Sequence, residues 1–132
     1  MGYERLIVAF LAHADAIAHD RPDSNFWAYL LLHRMIDRRP EQAWPLVVAI
    51  VQRAPDPAVL NNVAAGVLEY ILCVHATELI DRVEALARTD DQFRRALADV
   101  WGWTRIFADV RTRIDRASGR ATVNDDLKGT TS

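Results

Sequence analysis

The chain is poor in the residues from which most small catalytic and metal sites are built. It has one cysteine, Cys73, so no internal disulfide can form. A lone thiol fits a reducing compartment, and Cys73 reads as a small buried apolar residue. The four histidines are His13, His19, His33 and His75. None forms an i, i+4 pair and no second cysteine accompanies them, so there is no zinc signature. Cys73 and His75 diverge by about 200° on a helix and make a poor nucleophile pair. A glycine-rich phosphate loop and a nucleophile elbow are both lacking. These absences point away from an enzyme and from any metal or other cofactor.

Lysine is also scarce: of 16 cations only Lys128 is a lysine, and the rest are arginines. With a formal charge of −2 and no dense basic cluster, the composition argues against a nucleic-acid partner. No uninterrupted apolar run approaches the ~18 residues of a membrane span. Residues 1–11 carry Glu4 and Arg5 and lack the long apolar run and small-residue cleavage site of a signal peptide. The expectation is a cytoplasmic protein without a membrane partner.

What is present is helical periodicity. Apolar residues make up 51% of 132 positions, enough for one continuous core. Tyr3, Leu6, Ile7, Phe10, Leu11, Ala14, Ile17 and Ala18 follow three-and-four spacing, and Asp20-Arg21-Pro22-Asp23 breaks it. Ser24 is a plausible N-cap for a helix over 24–38 carrying Phe26, Trp27, Leu30, Leu31 and Ile36. A third helix is expected over Pro40–Arg53, with Pro45 making its first turn irregular or placing the true start at Trp44. Asp56 then caps a helix that Pro57 opens, running to about position 75. This is the most apolar segment and reads as the central, buried helix. Gly66 in its middle suggests close approach of a neighbouring helix. Thr77 is expected to cap a fifth helix over 78–88.

Thr89-Asp90-Asp91-Gln92 reads as a capping box for a sixth helix. A stripe through Phe93, Ala96, Val100, Trp103, Phe107, Val110 and Ile114 follows, continuous or bent near Gly102. Residues 120–132 are polar and read as a disordered tail behind a single helical domain over 1–119. The fold class expected is all-α: a compact bundle of about six helices arranged as HEAT-like antiparallel hairpins.

Two blocks carry a family resemblance: Ala64-Ala65-Gly66-Val67-Leu68-Glu69-Tyr70-Ile71-Leu72 and Phe93-Arg94-Arg95-Ala96-Leu97-Ala98-Asp99-Val100-Trp101. Through them the segment over 40–103 resembles an uncharacterised bacterial domain family. That family has a small-small-Gly-x-Leu-Glu block, then a Phe-Arg-x-x-Leu block near a Val-Trp pair. Val67 stands where the family often has proline. The resemblance covers about half the chain, leaves the first two helices and the tail outside, and implies a helical fold without implying a chemistry.

Glu69 is the one residue whose chemistry stands out. It lies in the most buried helix with no cation three or four positions away, so it must find a partner or stay protonated. Arg94 is the first candidate partner, with Arg95 and Arg105 as alternatives, forming a structural ion pair that fixes helix register. The tryptophans read mostly as core or inter-helix filler. Trp101 lies off the stripe and is either covered by another helix or an exposed contact anchor. Arg105 shares its face, so Trp101 and Arg105 form the candidate protein contact. The role expected is a non-enzymatic protein-binding or regulatory module, in its specific form an immunity protein that neutralises a bacterial toxin. The alternative is a small-molecule-binding protein or enzyme using Glu69 with nearby arginines in a helix-lined pocket.

Overall fold

In a computed structural model, which describes residues 3–100 and 108–119, the described chain is helical throughout. Helix α1 spans Glu4–Ala18, α2 Phe26–Arg38, α3 Pro40–Arg53 and α4 Pro57–Val63. A single π-helical turn, Ala64–Leu68, joins α4 to α5, Glu69–Thr89. Helices α6, Asp91–Ala98, and α7, Ala108–Ser118, follow. Each of α1, α2 and α3 packs on its sequence neighbour, α1 also packs on α4, and α5, α6 and α7 pack on one another. The result is an all-α bundle around one core, whose fully buried members include Leu32, Ile36, Ile50, Leu68, Leu72 and Phe93.

The stops are set by local chemistry. Helix α1 ends with Asp20 in the left-handed region (φ 52°), while the N–H groups of Asp20 and Arg21 bond the carbonyls of Ile17 and Ala16. This pair of backward bonds satisfies the last turn of the helix. Asp56 caps α4 as expected, its Oδ1 accepting from the Val59 N–H at 2.9 Å. Helix α6 is capped by Asp90 rather than Thr89, through the Phe93 N–H at 3.0 Å. Gln92 does not close a capping box. Its amide instead donates to the carbonyls of Val51, at 2.9 Å, and Ala54, at 3.0 Å, satisfying the exit of α3.

Several expectations change. Two helices meet at a kink within Pro57–Thr89, at His75, where a break was expected, but Thr77 lies inside the second of them rather than capping it. Only His75 leaves helical geometry (φ −128°, ψ 21°), and its Nε2 donates to the Ile36 carbonyl at 2.7 Å, near the exit of α2. Taken across the kink, Pro57–Thr89 is long and apolar enough to cross a membrane by length and composition alone. Here α1, α3, α6 and α7 pack around it, the usual situation of a core helix. Gly66 lies in the π turn, and a Cβ there would meet nothing within 4 Å, so the glycine admits no neighbouring helix. Helix α6 ends at Ala98, so the stripe does not continue as one helix. Residues 120–132 lie outside the described residues.

Candidate functional site

Helix α2 has two apolar faces. Ala28, Leu32 and Ile36 are buried completely and face the core. Phe26, Trp27, Leu30 and Leu31, expected to form the apolar side of this helix, are 41–52% exposed. Trp27, Leu31, Arg34 and Arg38 stand at i, i+4, i+7 and i+11, so they form one outward row. The row is apolar at the start of the helix and basic at its end.

The turn before α2 holds this helix in place. Asp23 Oδ1 accepts from the Asn25 N–H at 2.9 Å, and its Oδ2 lies 2.6 Å from His13 Nδ1 on α1. The Asn25 N–H and His13 hold the Asp23 carboxyl below its ordinary range. Phe10 stacks on Tyr29, and Tyr29 on Phe26, across the same hairpin. At the other end Pro40 forces Arg39 out of helical geometry (φ −142°, ψ 64°). Arg34, Arg38 and Arg39 therefore gather at one tight corner between α2 and α3.

A groove of about 580 Å³ opens there, bounded by Tyr3, Arg5 and Leu6 of the α1 start, the outward row of α2, and Arg39 and Gln42. A shallower depression shares Arg5 and Trp27 with it and continues over Val8, Ala9, Ala12 and Asn25. The lining of both contains four arginines and no acid. The nearest acids in sequence are engaged elsewhere. Glu4 is bidentate to Arg53, at 2.9 and 2.5 Å. Asp37 accepts from the Tyr70 hydroxyl, and Glu41 pairs with Arg82 at 2.8 Å. Among the described residues, none of Arg5, Arg34, Arg38 and Arg39 has an acidic partner. The groove offers planar, bidentate cations beside aromatic and aliphatic surface, a combination suited to an anionic ligand, carboxylate or phosphate, with an apolar part.

The residues singled out by sequence fall elsewhere. Glu69 is half-buried at the junction of the π turn and α5, and it lines none of the described cavities. Arg94 bonds the Asp91 carboxylate and the Ala87 carbonyl, the latter at 3.0 Å, so the structure gives it other partners than Glu69. Arg95 is exposed and lines a depression beside the α3–α4 turn. Trp101 and Arg105 lie outside the described residues. Trp44 is core, edge-on to Phe93, whereas Trp27 is exposed, which overturns filler as its role.

Two further clusters are present. Asp15, His19 and Asp56 bring ligand atoms within 4.8 Å of one another, but each carboxylate is already bonded. Asp15 accepts from Arg21 at 2.8 Å, and Asp56 accepts from the Val59 N–H and from His19. Arg113 on α7 binds Glu84, at 2.9 and 2.6 Å, and Asp81, at 2.7 Å, so it fastens α7 to α5. Glu84 is held below its ordinary range by that guanidinium.

Fold and groove together define an all-helical domain with an open basic and apolar surface. The chain belongs to a family of unknown function, DUF6869, whose profile matches residues 15–122. The match takes in α2 and the last turn of α1, which the resemblance by motif left outside. No curated protein and no solved structure matches the chain.

Proposed function

We propose that this chain is a non-enzymatic protein-binding module and that the groove along α2 is its docking surface. One observation carries the reading. Four large apolar side chains, Tyr3, Val8, Trp27 and Leu31, are exposed and line one acid-free surface together with four arginines. Exposed apolar area rimmed by polar groups marks interaction sites, and tryptophan, tyrosine and arginine dominate binding hot spots. A HEAT-like stacking of the helical hairpins, which belongs to this proposal, would fit the same role, since such stacks present their outer helices to partners. A toxin-immunity role is the specific form of this reading. The basic groove narrows it to a toxin with an acidic face, because a protein that grips phosphate backbones is itself basic there.

The alternative of a pocket using Glu69 has less support, because the arginines converge on a groove that Glu69 does not line. The test places a photo-crosslinking amino acid at Leu31 and irradiates cells of the source organism. A discrete polypeptide adduct is expected, reduced when Arg34 and Arg38 are changed to glutamate. Adducts to lipid or nucleic acid alone, or none at all, would overturn the assignment.

A further inference from the structure

We infer that the occupant of the groove is an acidic amphipathic helix of about three turns, lying antiparallel to α2, with its carboxylates in its first turn and its apolar anchor in its last. The inference rests on the docking reading above and names the chemistry of the partner. It starts from the polarity of the outward row. Trp27 and Leu31 stand at the start of α2, while Arg34, Arg38 and Arg39 stand at its end. The row covers eleven helical steps, about 16 Å at 1.5 Å per residue. Its spacing of i, i+4, i+7 and i+11 is what one helix presents to another in ridge-into-groove packing. Three turns of partner helix match that length.

Charge and dipole fix the direction. The carboxylates must lie at the arginine corner, which is the C-terminal end of α2. Acidic side chains stabilise a helix when they occupy its first turn. A partner that satisfies both conditions starts at the arginine corner and runs toward Trp27, antiparallel to α2. The corner has no acid of its own to displace, since Glu4, Asp37 and Glu41 are bonded to Arg53, Tyr70 and Arg82. Concavity disfavours a lipid surface, because the groove is walled by the α1 start and by Arg39 and Gln42. With a formal charge of −2 the chain has no overall basic excess to favour a nucleic acid.

The test titrates the full chain into three fluorescein-labelled peptides and reads anisotropy. The first carries glutamates in its first turn and leucine and tryptophan in its last. The second is its sequence reversal, and the third replaces the glutamates with glutamine. The first should bind about tenfold or more tighter than either control and weaken as salt is raised. Its affinity should fall when Arg34→Gln and Arg38→Gln are combined, with the helical circular dichroism unchanged. Equal binding of the first two peptides overturns the direction, and equal binding of the first and third overturns the acidic chemistry. No binding of the first peptide, or tighter binding of a single-stranded oligonucleotide or of phosphatidylserine vesicles, overturns the inference as a whole. A polypeptide adduct at Leu31 alongside failed peptide binding leaves the docking reading standing and removes only the helix.

Discussion

Helix α2 and the long run Pro57–Thr89 are both rich in apolar residues, yet they stand in opposite situations. The long run lies between α1, α3, α6 and α7, so most of its large apolar residues find cover: Leu68, Ile71, Leu72 and Val83 are almost wholly buried, while Val74 is exposed. Helix α2 packs on α1 and α3 at the edge of the bundle. Its face through Ala28, Leu32 and Ile36 is covered, while the face through Trp27 and Leu31 is not. Apolar content tells how much surface a helix would gain by covering. Position in the bundle decides whether anything covers it. An apolar face left open on an edge helix is therefore the more informative of the two.

Truncations give the sharpest contrast. Leu72→Ala removes a fully buried side chain and should cost about 2–5 kcal/mol in urea unfolding. Leu31→Ala removes one that is 41% exposed and should stay within about 0.5 kcal/mol. Equal losses at the two positions would mean that the outer face of α2 is covered in solution.

A smaller loss is expected at the exit of α3. Gln92→Ala leaves the carbonyls of Val51 and Ala54 without their side-chain donor and should cost about 1–2 kcal/mol in the same assay. A silent variant would show that water serves those carbonyls equally well.

Gly66→Ala should act in the other direction. The site is helical and an added Cβ meets no atom within 4 Å, so stability should rise by up to about 1 kcal/mol, read as a higher Tm. A fall would mean that the π turn requires glycine.

The smallest effect concerns the joint between the two regions. His33 on α2 lies between Tyr29 and Tyr70 of α5, with ring centroids at 4.3 and 4.5 Å, and its Nε2 is buried without a hydrogen-bond partner. Burial pushes its pKa below the ordinary histidine value, against the opposing pull of Asp37. The unfolded chain then binds this proton more readily than the folded one. Stability contributed by neutral His33 is present above the ordinary histidine pKa and is lost as pH falls through that value toward the lowered one. His33→Gln should flatten that part of the stability profile, and an unchanged slope would assign it to another group.

Much of the fold was legible in the sequence. Pro40 and Arg53 bound α3 as read, Asp56 and Pro57 open the next helix, and Asp20-Arg21-Pro22-Asp23 separates α1 from α2. The turns were legible because a cap or a proline acts within a few residues. Less was legible where a choice depended on distant partners. Thr77 reads as the cap of a new helix, but the break falls at His75, whose ring bonds the distant Ile36 carbonyl. Gln92 reads as closing a local box, but three carbonyls at the exit of α3 compete for its amide.

The candidate site shows the same division. Arg34, Arg38, Trp27 and Leu31 are visible in the sequence as a row on one helix face. Periodicity alone grouped Trp27 and Leu31 with the core residue Ile36, because both faces of α2 are apolar. Sequence by itself determined an all-helical chain, its principal breaks and its arginine-for-lysine bias, since these follow from local backbone chemistry and composition. Tertiary structure alone decided which apolar face of α2 turns outward and which acids pair away from Arg5, Arg34, Arg38 and Arg39. Those outcomes depend on Arg53, Tyr70 and Arg82, which stand far from those acids in the chain and reach them only when the helices pack.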